Sequence, residues 1–176
     1  MIFHRNRMQF FAVIAAAMLA LAAMTPGPRA QAAADGVNQK QLHDYVLTMD
    51  KITKLAGAQK ELDDLQKSNP AMTKDMSSQD SSGKSIDQMA QGLAKYPPVI
   101  AILKKNGFGA REYIVATMTL IQVGTAVGFK KAGTYKEYPP EMLKLVSQAN
   151  LTFVEQHWDD ITKAMPAFSS GAPEQK

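Results

Sequence analysis

Seventeen consecutive residues without a charge, Tyr113 to Phe129, constrain this chain more than any other feature. The run is bounded by Arg111-Glu112 and Lys130-Lys131, and its large apolar residues (Tyr113, Ile114, Val115, Met118, Leu120, Ile121, Val123, Val127, Phe129) cover most of a helix circumference. A helix apolar nearly all round has to be covered nearly all round. The fold class expected is therefore all-α: a compact bundle of five to six helices with the helix at about 110–131 buried in its centre. The run is short for a bilayer and carries Thr117, Thr119, Gln122 and Thr125, so Gly124-x-x-x-Gly128 reads as a close-packing face inside a bundle.

The flanking segments supply the covering helices. Helix one is expected to open at a capping box of Asn38 and Gln41, to run past Leu42, Tyr45, Met49, Ile52, Leu55, Leu62 and Leu65 with a bend at Gly57, and to stop by Pro70. Residues 68–84 have almost nothing to bury and are expected to form a mobile polar loop. Ser85 and Gln88 make a second capping box, opening a helix striped by Ile86, Met89, Leu93 and Tyr96. Pro98 suits the first turn of a short helix over 99–105, closed by a left-handed residue at Asn106-Gly107. After the central helix, Pro139-Pro140-Glu141 starts a helix carrying Met142, Leu143, Leu145 and Val146. Asn150 is then expected to cap a last helix through Leu151, Val154, Trp158, Ile161 and Met165, ended by Pro166, with a disordered tail over 169–176. Alternating strand patterns are lacking.

The amino terminus reads as an address. Arg5 and Arg7 precede an uncharged apolar run, Phe10 to Met24; Pro26 and Pro28 break it; and Ala30-Gln31-Ala32 supplies the small-x-small site of a signal peptidase. The expectation is a signal peptide over 1–32 cleaved after Ala32, a periplasmic or secreted product, and one bundle domain over 33–168. Fifteen apolar residues fall short of the roughly 20 that cross a bilayer, so no stable membrane insertion is expected after cleavage. Three of the 20 basic residues leave with the signal and none of the 16 acidic ones, so the mature charge drops from +4 to near +1. That balance argues against nucleic acid as a partner. Cysteine is absent, which excludes disulfides, thiolate metal sites and a Cys nucleophile.

Chemistry-bearing residues are few. His43 and His157 flank apolar stripes; were their helices neighbours, the two with Asp44, Asp50 or Asp160 would make a metal site between helices. No paired His at helical spacing and no Glu-x-x-His motif accompanies them, so histidines that satisfy local hydrogen bonds are the favoured reading. A haem held by His157 with Met49 or Met89 is a related arrangement, and Met72-x-x-x-Met76 has a spacing that Cu(I) could use, although methionines that pack on the core are favoured there. No cofactor is predicted. Gly-x-Ser-x-Gly and phosphate-cradling glycine loops are lacking, and Asp63-Asp64 and Asp159-Asp160 diverge around their helices. Arg111, Glu112 and Tyr113, at the start of the central helix, are placed to line the mouth of a pocket.

Gly107-Phe108-Gly109-Ala110-Arg111-Glu112-Tyr113, the Thr/Met/Leu/Gln-rich helix after it through Lys131-Ala132-Gly133, and Asn150-Leu-Thr-Phe-Val-Glu-Gln-His157 resemble small exported helical proteins of Gram-negative bacteria. The likeness covers residues 107–161 and implies an all-α exported protein. It carries no activity, ligand or site. The sequence thus leads to a non-catalytic exported bundle that binds an envelope partner or a small ligand, with a metal- or haem-binding bundle as the alternative.

Overall fold

The computed structural model describes residues 38–78, 84–134 and 136–169. The expected export signal, with Ala30 and Ala32 at its cleavage site, and the tail beyond 169 lie outside the described residues. Every regular element among the described residues is helical. A helical segment over 38–44 (α1) precedes α2 (Met49–Ser68), α3 (Pro70–Ser78), α4 (Ile86–Ala94), α5 (Pro97–Lys105), α6 (Ala110–Lys131), α7 (Pro140–Leu145), α8 (Gln148–Gln156), α9 (Trp158–Ala164) and α10 (Pro166–Ser169).

α6 is the axis around which the others sit. It packs most extensively on α4 and α8, and also on α2, α5 and α10. Between Glu112 and Lys131 only Thr125 is exposed, while Ala116, Val123 and Val127 are wholly buried. By length and composition α6 could cross a membrane, and 67% of its apolar window is covered by neighbouring helices. The main core joins α6 to α2, α5, α8 and α9 through residues such as Ile52, Leu55, Leu103, Leu120, Leu151 and Ile161. A smaller cluster of Leu42, Ile86, Ile114 and Val115 seats α1 and α4 on the first half of α6.

The helices outnumber the five or six expected because four segments differ from the sequence reading: α10 (Pro166–Ser169) forms where Pro166 was expected to end the last helix, and the other three each differ for a local reason. The first long helix is interrupted at Tyr45–Thr48, where Thr48 caps α2 by accepting from the Lys51 amide at 3.3 Å. Gly57, expected to bend that helix, lies inside an unbroken α2 and leaves room for the Asn106 side chain: a Cβ there would stand 2.6 Å from Asn106 Oδ1. The polar stretch after Pro70 is a nine-residue helix and not a mobile loop, at least through Ser78. Asn69 starts it by accepting from the Met72 amide at 3.1 Å, Met72 and Met76 lie on the core, and Asp75 accepts from the Tyr96 hydroxyl at 2.5 Å. Those two methionines, four apart, are the narrowest stripe a helix can use, which is why polarity hid it.

The last helix is split at His157, which closes α8 and precedes α9. Its cap is Ser147, which accepts from the Asn150 amide at 3.3 Å; Asn150 is not the cap. Asn150 instead is 2% exposed and spans to the interruption between α1 and α2. Its Oδ1 accepts from the Leu47 amide at 3.0 Å, and its Nδ2 donates to the Tyr45 carbonyl at 2.6 Å. A side-chain amide thereby supplies the donor and acceptor that the broken helix lost.

Other local readings hold. Ser85 and Gln88 form the reciprocal capping box of α4. α5 begins on Pro97-Pro98 and closes on Gly107, whose φ of 80° admits the pair of bonds from the Gly107 amide to Lys104 (3.0 Å) and from the Phe108 amide to Leu103 (2.8 Å). α7 is shorter than its stripe suggested: Met142 and Val146 pack inward, while Leu143 and Leu145 are 38% and 46% exposed.

Candidate functional site

The residues singled out in the sequence end up in separate places. His43, on α1, stands 3.2 Å from Asp44 Oδ1, and Asp44 also accepts from Lys40. His157, between α8 and α9, has its Nδ1 4.0 Å from Asp160 and its ring 4.8 Å from that of Phe153. Each histidine thus has a neighbouring carboxylate on its own stretch of chain, and among the described residues no three His, Asp or Glu side chains gather as a metal-holding group. Met49, Met72 and Met76 lie against the main core and Met89 against the smaller cluster.

Arg111, Glu112 and Tyr113 diverge toward three different elements. Arg111 donates to Asp87 at 2.6 Å and to Gln41 at 2.7 Å, tying the start of α6 to α4 and α1. Glu112 accepts from the Tyr45 hydroxyl at 3.4 Å. Tyr113 is 5% exposed and donates to Gln59 of α2 at 3.4 Å; burial pushes its phenol up to about 12.

The other end of α6 carries a constellation the sequence did not announce. Glu155 Oε1 accepts from Lys130 Nζ at 2.7 Å and from the Tyr138 hydroxyl at 2.6 Å, while the Lys130 ammonium lies 4.5 Å from the centre of the Tyr138 ring. Lys131 Nζ stands 5.7 Å from the Trp158 ring centre, and Trp158 leans on Phe168 with centroids 5.6 Å apart. Phe129, Tyr138, Phe153, His157, Trp158 and Phe168 are all neither buried nor fully exposed. Tyr138 beside Lys130 and Trp158 beside Lys131 thus form a half-covered aromatic rim at the C-terminal end of the central helix, where the lysine charges also suit the helix dipole, and the Phe153–His157 pair precedes Trp158 in the chain. Each element has a local reason to be there: Pro139 and Pro140 hold the chain extended beside Tyr138 before α7 starts, and Ser147 starts α8 so that Glu155 falls in its last turn.

Partial desolvation pushes Glu155 up, but hydrogen bonds from Lys130 and Tyr138, with the lysine charges, outweigh it and hold its carboxyl below the ordinary value. Tyr138 is raised, first by desolvation and then by its bond to Glu155. A carboxylate whose folded pKa is depressed stabilises the fold above its unfolded pKa, about 4.3, and that contribution disappears as pH falls through the folded value. Glu155→Gln should therefore cost about 1 kcal/mol at pH 7, after allowance for a pair that is about one-third exposed, and the gap to the wild type should close on the acid side of pH 4. Urea midpoints of both proteins at pH 7 and pH 3 check this; a gap that is the same at both would show that the charge of Glu155 is not what matters.

No protein-family model, curated protein or solved structure matches this chain. The rim was invisible in the sequence because its contacts join residues 17 and 25 positions apart, Tyr138 and Lys130 to Glu155, across two turns. The available signal was compositional: six of the thirteen aromatic residues of the chain lie from Phe129 to Phe168.

Proposed function

We propose that this is an exported, non-catalytic helical-bundle protein that works by binding, and that the aromatic rim at the end of α6 is its contact surface for an apolar segment of an envelope partner or a small apolar ligand. The observation that carries this reading is the rim itself: half-buried Tyr138 and Trp158 beside Lys130 and Lys131, with Tyr138 held by its hydrogen bond to Glu155. Aromatic side chains presented rigidly offer large apolar area at low entropic cost, and adjoining lysines give polar contacts at the edge. The export reading rests on Met1 to Ala32, with a product starting near Ala33.

A photo-crosslinking residue placed at Phe153, compared with one at the exposed Thr53 of α2, tests the contact surface in a Gram-negative host. The expected result is a discrete adduct from position 153 and none from 53, on a product whose intact mass begins near Ala33. Monomer alone from both positions would sink the binding reading, and a full-length mass would sink signal cleavage.

A further inference from the structure

α10 is four residues long and follows a single non-helical residue, Met165, which is itself buried. Its Phe168 lies across the middle of α6 at Gly124. A Cβ on Gly124 would stand 1.8 Å from the ring's Cζ and 2.3 Å from its Cε2, so the ring occupies the space that any other residue would fill with its own side chain. The ring also packs on Trp158, whose ring is inclined at 51° to that of Phe168. Phe168 nevertheless remains only half-buried. The apolar area that one partly covered ring removes from water is set against the backbone order of a four-residue helix, two terms of similar size and opposite sign. Short elements held so narrowly open without the rest of the fold.

We propose that α10 is a strap that exchanges between a closed state, with Phe168 keyed into Gly124, and an open state in which Gly124 and the flank of Trp158 are uncovered. In the closed state the strap covers part of the aromatic rim with the chain's own ring. In the open state the vacated notch is shaped for one aromatic or branched apolar group, so Phe168 competes with any such group offered from outside. Gly124 is thus a keyhole for Phe168 and not a surface for pairing two copies of α6. Opening is a property of this chain alone, and it holds or fails independently of whether the rim binds a partner.

Trp158 is the only tryptophan in the chain and lies against the strap, so its fluorescence reads the strap directly. Gly124→Ala and Phe168→Ala should each shift Trp158 emission to the red and raise acrylamide quenching about twofold while helical circular dichroism is retained. The double variant should match Phe168→Ala, because with no ring present the added methyl displaces nothing. In the wild type, the Phe168 amide, bonded to the Met165 carbonyl at 2.8 Å, should exchange with deuterium at least about 100-fold faster than the interior amides of α6. Unchanged emission in Gly124→Ala, or a double variant far more quenched than Phe168→Ala, would overturn the keyhole. Equal protection of α10 and α6 would overturn the opening. Should Gly124→Ala fail to fold, Phe168→Ala and the wild-type exchange decide alone.

Discussion

Asn150→Ala should lose about 3 kcal/mol of folding stability, a large effect for one surface-distant polar residue. The reason is the company Asn150 keeps. It is 2% exposed, and its amide group alone satisfies the Leu47 N–H and the Tyr45 carbonyl where α1 ends and α2 has not begun. Removing it leaves two backbone groups without partners beneath α8, each costing about 1–3 kcal/mol, in addition to the cavity. Asn150→Asp separates the two bonds. A carboxylate still accepts from Leu47 but has no proton for Tyr45, so at pH 7 the variant should be nearly as unstable as the alanine. Protonation restores the donor, so part of the loss should return as pH is lowered toward 4. Urea titrations of the three proteins at pH 7 and pH 4 measure this. A loss below about 1 kcal/mol for the alanine variant would mean that the clamp is not what holds the interruption between α1 and α2.

Leu120→Ala should cost about 3 kcal/mol, whereas Thr125→Ala, five residues further along the same helix, should stay within about 0.5 kcal/mol. Leu120 is 2% exposed in the main core, and Thr125 is the one exposed position between Glu112 and Lys131. The contrast tests the placement of α6 at the centre of the molecule. Were α6 instead at the periphery, the two costs would converge. Thermal unfolding followed by circular dichroism reads both variants, and similar midpoints for the pair would refute the central position.

How much of this was legible in the sequence varies from element to element. The bounds of α6, Ala110–Lys131, follow from its charge boundaries, and the Ser85–Gln88 capping box and the Gly107 closure follow from spacing of a few residues. Such features depend on neighbours within one helical turn, which a sequence displays directly. The interruption at Tyr45–Thr48 was not legible, because a continuous apolar stripe passes through it and the groups that stabilise the break come from Asn150, more than a hundred residues away. α3 was hidden for the opposite reason: its sequence is polar, and its helix is stabilised by Asn69 at one end and by Tyr96 reaching Asp75 from the next helix pair.

The site divides along the same line. His43, His157, Met72, Met76 and Asp160 were chosen by residue type, and type says nothing about whether helices bring such side chains together. Arg111 and Glu112 were chosen by position, and the structure shows them joining the start of α6 to α1, α4 and the loop before α2. The rim of Lys130, Tyr138, Glu155 and Trp158 exists only because the chain turns back twice after Lys131.

By itself, the sequence determined the helical class, the central helix and the caps, since periodicity, charge boundaries and capping are interactions between residues three or four apart. Tertiary structure alone decided where a helix is broken, which polar groups are buried, and that Phe168 closes on Gly124, since each of these depends on backbone groups or a missing side chain meeting a partner from a distant part of the chain.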